Sequence, residues 1–404
     1  AENRTEQLSR LLPALADDAT ERTPVRVVLL VRQPAPARPG RTTTGADIWV
    51  DAVRPSSDEP TDRVLDAATT TILDDSILTP ADRAALFDAA AAGFGHRDHP
   101  TTAAPTARPD LSLAVFDQPL MIVIAGYLAV AGTPQGVIPT TEGALFDAVL
   151  EHEERYWAAT APRVPVALTA REARGAVAAA TLVDVASDAE ARGVLKSLPL
   201  LSDAAATRLA QVADWIAITY PPPSGSSLVW GHVEPDRLGE HLTATHPEDS
   251  AAATAWALAP SRDADLQLRT ITVLARALPG HPTLLGVIAP VLTEQIPDMA
   301  RAAIAQAGEL DRYRIGTITL PDALATLVNA VGVHLPPETW MTVSDLLPIS
   351  NHVLAPLSLA ISATLVEQHR ALAQTEPDAC EPALASSLNN LSIRLAEAGR
   401  REEA

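Results

Sequence analysis

The residues best suited to chemistry in this chain are scattered, and the first of them is an arginine. Arg32 closes the run Val-Arg-Val-Val-Leu-Leu-Val-Arg, residues 25–32. A guanidinium at the carboxyl end of a sheet strand can give forked hydrogen bonds to phosphate oxygens, at the edge where α/β sheets hold their ligands. The plainer reading is an arginine leaving the sheet for solvent. Lys196, in Arg-Gly-Val-Leu-Lys-Ser-Leu, is the only lysine. A P-loop needs the pattern GxxxxGKS/T, whose backbone amides cradle phosphates while the lysine reaches them. Leu195 stands where that glycine belongs, so these residues contain no P-loop. Asp236, in Glu-Pro-Asp-Arg-Leu-Gly-Glu-His-Leu, is a good helix cap, and His232 upstream reads as an ordinary loop histidine. His96 and His99, in Gly-His-Arg-Asp-His-Pro, lack cysteine partners and make a poor metal site. No GxSxG or HExxH occurs. The single cysteine, Cys380, excludes an internal disulfide and fits a reducing cytoplasm.

These side chains must be positioned by regular elements. Leu8, Leu11, Leu12 and Leu15 recur at helical spacing, in an amphipathic helix that Pro13 kinks or ends. Residues 27–31 are continuously apolar and Val-rich, as in a strand buried on both faces of a parallel sheet. A Pro-, Ser- and Asp-rich loop follows. Thr79 and Pro80 mark the cap and first residue of a helix. The apolar run 119–132 falls short of the roughly 20 residues that span a bilayer, so it reads as a buried helix. A helix from Glu142 to Trp157 comes next, with Tyr156 and Trp157 as core anchors. Between 164 and 245, three helical segments open on Thr169, Ser187 and Ser202 as caps. A turn-rich Pro-Pro-Pro-Ser-Gly-Ser-Ser-Leu-Val-Trp-Gly stretch and a short helix complete them. Three helices with a small β-hairpin outline a winged-helix domain. Beyond 250 the pattern is one helical hairpin after another. Leu268, Ile271, Ala275 and Leu278 line one helix, and Leu384, Leu388, Leu391 and Leu395 line the last, as in an α-solenoid.

Composition supports a mainly α protein. Of the 404 residues 47% are hydrophobic but only 3% aromatic, so Ala and Leu must fill the core, which favours close-packed helices. The net charge of −20 opposes a broad nucleic-acid or anionic-membrane surface, because phosphate binding needs a cationic face.

The order of parts resembles the multidomain STAND-class, NB-ARC-like signalling NTPases that end in tetratricopeptide repeats. The likeness is carried by the strand ending in Arg32, the apolar helix opening Gln-Pro-Leu, and the phrases LFDAVLEHEERYW, SDAAATRLAQVADWIAITYPP and EPDRLGEHL. The segment LNNLSIRLAEAGRREEA is similar to most of a first tetratricopeptide repeat. The resemblance implies a remnant of an α/β NTPase core at 1–75, a helical lid at 76–162 and a winged helix at 163–248. It further implies a helical-repeat region at 249–376 and the start of a tetratricopeptide repeat at 377–404. The chain would then be an internal piece, with a P-loop before it and more repeats after it.

The same resemblance gives residues roles. Ala1, Glu2 and Arg4 look like the end of a Walker B segment, making Glu2 the acid that orients attacking water; the alternative is an acid favoured by a helix N-terminus. Arg32 becomes a phosphate-sensing arginine. Pro119 matches the proline that packs on adenine, although Asp117 replaces the family's glycine and Pro is common at helix starts. Asp236 matches the acid of the family's Met-His-Asp motif, with Pro235 where the histidine belongs. The implied cofactors are ATP or ADP with Mg in the full-length protein, with no tight binding to this segment alone. The implied partners are proteins held by the repeats, with a nucleotide-dependent homo-oligomer. Two rivals stand beside this reading: an interaction scaffold without nucleotide function, and a transcriptional regulator whose winged helix reads DNA. The second would need exposed cations on its recognition helix, where only Arg208 is offered.

Overall fold

The chain enters its first described helix through a reciprocal cap. Thr79 Oγ1 accepts from the Asp82 amide at 3.2 Å, while Asp82 Oδ2 accepts from the Thr79 amide at 3.2 Å. Pro80, whose missing N–H costs nothing at a first helical position, opens α1 (Pro80–Arg97) as the sequence predicts. The computed structural model describes residues 78–97, 107–133, 136–223, 225–309, 319–348 and 351–397, with Arg400 and Glu402. Almost all of these belong to one compact unit, 77–307 with 320–404. The expected opening helix, the strand at 27–31, the whole of 1–75, Glu2, Arg32 and His99 lie outside the described residues.

Among the described residues the protein has fourteen α-helices and no β-strand, so the mainly α expectation holds. Helix α2 (Pro119–Ala131) is the apolar run, and it buries Met121, Ile122, Ile124, Ala125, Leu128 and Ala129. Gly132 ends it at φ 82° while its amide closes on the Leu128 carbonyl, a left-handed terminus that favours glycine. Helices α1 and α2 cross at Gly126, where a Cβ would lie 2.7 Å from that of Ala90 and 3.0 Å from the Phe87 carbonyl. Helix α3 (Glu142–Thr160) runs three residues beyond its expected end. Of the aromatic pair near its end only Trp157 is a core anchor; Tyr156 is 45% exposed.

Helices α4 (Ala170–Leu182), α5 (Asp188–Ser197) and α6 (Ala206–Thr219) form the next group. The Thr169 and Ser187 caps form, each side chain accepting from the amide three residues on. Ser202 does not cap α6. Its hydroxyl donates to the Pro199 carbonyl at 3.0 Å, and the helix begins at Ala206 without a side-chain cap. The expected hairpin also forms no ladder. Instead the 220–231 stretch is held by separate bonds, Gly231 N–H to the Tyr220 carbonyl at 2.7 Å and Val229 N–H to the Val185 carbonyl at 2.8 Å. Buried Trp230 adds its Nε1–H to the Val183 carbonyl at 3.1 Å. Indole burial with its bond to Val183 and two backbone bonds do the work that a regular ladder was expected to do.

Helices α7 (Asp236–Thr245) and α8 (Pro247–Ala257) follow. The boundary at 248/249 falls inside α8, which packs on α4 and α5. Trp256 of α8 sits against Gly193 of α5, and the Arg262 guanidinium lies 3.8 Å from the Trp256 ring. Helix α9 (Ala264–Ala277) satisfies carbonyls left open at the end of α4: Thr270 Oγ1–H donates to Leu182 at 3.0 Å and Arg269 Nε–H to Thr181 at 3.2 Å.

The remainder is repeat-like helix packing, through α10 (Pro282–Glu309), α11 (Leu320–Val331), α12 (Pro337–Leu346), α13 (Ala355–Thr375) and α14 (Pro377–Glu397). Helix α11 packs on α9 and α13, and α13 on α14. The turn at Gly332 is pinned from two sides, by Trp340 Nε1–H at 2.8 Å and Gln368 Nε2–H at 3.1 Å on its carbonyl. Ile271, Ala275 and Leu278 are buried as the spacing predicts, but on α14 Leu388 is 43% exposed. Ser387 takes the buried position instead and bonds His369 Nδ1 at 2.8 Å. No described helix is long and apolar enough to cross a membrane.

Candidate functional site

Pro119 and Asp236, the described residues with an expected nucleotide role, occupy equivalent places on two helices. Pro119 is the first residue of α2 and is exposed. Asp236 is the first residue of α7, not its cap; Pro235 holds the cap position and offers no side-chain bond. The Asp236 carboxylate turns to α9 and accepts from Arg276 Nη1 at 2.9 Å. Glu240, one turn on, lies 3.9 Å from the same guanidinium.

Arg237 brings the two places together. Its guanidinium donates to Gln118, the residue before Pro119, and to Glu142 at the start of α3 at 2.5 Å. One turn further along α7, His241 is 8% exposed and its Nε2 meets Asp147 Oδ1 of α3 at 2.8 Å. The His241 ring packs against Phe146 and His281, with centroids 5.4 and 5.9 Å apart. Burial, then His241, holds the His281 imidazole below its ordinary pKa. So α7 has two charged faces: Asp236 and Glu240 address Arg276, while Arg237 and His241 address α3. Both pairs are four residues apart, the interval that places side chains on one helical face.

The approach to α2 is fixed by Arg83, buried to 7% exposure. Its guanidinium donates to the Leu78 carbonyl at 3.0 Å, to the Leu111 carbonyl at 2.9 Å and to Asp117. Asp117, which stands where the resemblance expects a glycine, is the counter-ion of a buried arginine and anchors the turn before Pro119.

This arrangement is an ionic clasp. Arginine, carboxylate and amide bonds join the starts of α2, α3 and α7 and the end of α9, without a nucleophile paired to a base. His232 stands apart, its pKa lowered by burial and by Arg269. Among the described residues no group of three His, Cys, Asp or Glu is placed to hold a metal ion. Arg237, Gln118, Glu142 and Arg276 were missed by motif reading; the four-residue spacing of Asp236 with Glu240 and of Arg237 with His241 was the available signal.

Comparisons with protein-family models, with curated proteins and with solved structures give no match for this chain.

Proposed function

We propose that these residues are the lid, winged-helix and repeat region of a STAND-class signalling NTPase. In that reading the full-length protein carries a P-loop domain, binds ATP or ADP with Mg, and works in the cytoplasm through protein partners held by tetratricopeptide-like repeats. The observation that carries the proposal is the clasp on α7. A helix fastened to the lid through Arg237 and to the repeat side through Asp236 and Arg276 can pass a change at one end to the other. The path from α4 to Trp230 adds support. The carbonyls of Val183 and Val185, between α4 and α5, accept from Trp230 and Val229 after α6, a tie that the winged-helix reading expects, although no ladder forms. The DNA-reading rival loses its one cation, since Arg208 is committed to Glu172 at 2.7 Å and to the Ala167 carbonyl at 3.1 Å.

The test uses the full-length protein that carries the P-loop. Arg237→Ala is expected to speed ADP release about tenfold, because most changes in affinity appear in the off-rate. Stopped-flow release of a fluorescent ADP analogue measures it. A full-length protein that binds no adenine nucleotide, or an unchanged release rate, overturns the reading. The 404-residue chain alone is expected to turn over no ATP, its only lysine lying exposed in the last turn of α5.

A further inference from the structure

A second site lies away from the clasp, where the starts of α4 and α8 meet the middle of α3. A cavity of about 530 Å³ opens there, lined by Glu154, Arg171, Arg174, His246, Glu248 and Asp249. That size suits a small organic ligand. Its charges are unevenly matched. Arg174 is held by Glu154. Arg171 and Glu248 approach only to 3.6 Å, with both side chains about two-thirds exposed at 68% and 70%.

Asp249 is different. It is 6% exposed and lines the cavity; no described residue gives its carboxylate a hydrogen bond, its oxygens face the cavity, and Arg171 acts on it only through its charge. A buried carboxylate without a partner is costly, and proteins rarely keep one without use. Helix α4 makes room for it at Gly175, where a Cβ would sit 2.8 Å from Asp249 Cγ. A glycine in mid-helix gives up stability relative to alanine, so the space left for this carboxylate has a cost of its own. Beside it, His246 places Nδ1 3.2 Å from the Leu242 carbonyl, so that nitrogen carries the proton and Nε2 is an acceptor. Burial, with Arg174 and Arg171 nearby, holds this imidazole below its ordinary pKa against the bond to Leu242.

The cavity thus offers the Asp249 carboxylate without a protein donor, Arg174 being held by Glu154, while Arg171 offers a donor with only a loose partner. We infer that this cavity binds a small zwitterion of the basic amino-acid class, its cationic group on Asp249 and its carboxylate on Arg171. A guanidinium or ammonium supplies the donors that Asp249 lacks, and a carboxylate matches the fork of Arg171. The inference stands apart from the nucleotide reading, since it uses none of the clasp residues.

Titration calorimetry on the whole chain tests it, with L-arginine and L-lysine as probes and agmatine and cadaverine as their counterparts without the carboxylate. At least one amino acid should bind below about 1 mM, and Asp249→Asn should weaken it by about tenfold or more. Arg171→Gln should weaken the amino acid but leave its carboxylate-free counterpart unchanged. Gly175→Ala, whose methyl would push on the Asp249 carboxylate, should also weaken binding, and thermal unfolding of every variant separates a lost site from a lost fold. The inference fails if neither amino acid binds at about 10 mM, if affinity is unchanged in Asp249→Asn, or if agmatine binds the native protein as tightly as L-arginine.

Discussion

At the residue scale, two buried charges behave in opposite ways. Arg83 has three acceptors and is at ease; Asp249, itself an acceptor, is given no hydrogen bond by a described residue and feels Arg171 only as a charge. Asp117→Ala would strand the Arg83 guanidinium, and because Asp117 is itself half exposed the expected loss is about 1–2 kcal/mol, less than for a fully enclosed pair. Asp117→Asn keeps an acceptor and should lose less, as read from urea midpoints. Asp249 is raised above the ordinary carboxylate pKa by burial, with Arg171 opposing and Glu248 adding to the shift. The folded state therefore holds its proton more tightly than the unfolded chain. Its favourable contribution is complete below the ordinary carboxylate value and is lost as pH rises through the raised one. The stability difference between the native protein and Asp249→Asn should shift in favour of the variant across that window. Parallel urea titrations over the acid range, without ligand, measure it.

At the element scale the decisive contacts are close approaches and caps. Gly126→Ala would push a methyl into Ala90 and the α1 backbone, and is expected to cost about 1–3 kcal/mol by overpacking. Thr169→Ala removes the α4 capping box for about 1 kcal/mol. Thermal unfolding of each variant checks these figures. Most helices were legible in the sequence because their signals are local: Thr79 with Pro80, Thr169 with Glu172 and the apolar run that became α2. Ser202 misled because a serine near a helix start signals a cap whether or not its hydroxyl finds a nearer carbonyl. Leu388 misled because a leucine stripe says nothing about which neighbour arrives to cover it. The clasp was only half legible. Pro119 and Asp236 were named for their motif positions, but Gln118 and Arg237 meet across 119 residues of sequence, a distance no local pattern encodes.

At the scale of the molecule, buried side chains form a continuous core from Phe87 to Leu365. Such continuity predicts one cooperative calorimetric transition for this body. Paired substitution of Asp236 and Arg237 by alanine, which opens both faces of α7, should broaden that transition or divide it in two. A single sharp transition at unchanged temperature would mean that apolar packing alone unites the body.

The solitary lysine has a practical consequence. Lys196 stands exposed in the last turn of α5, so within these 404 residues amine-directed reagents meet one side chain, apart from the terminal α-amine. A dye attached there would carry a defined address without any engineered cysteine, and a lysine-specific protease would have a single internal target, opened only when α5 unwinds.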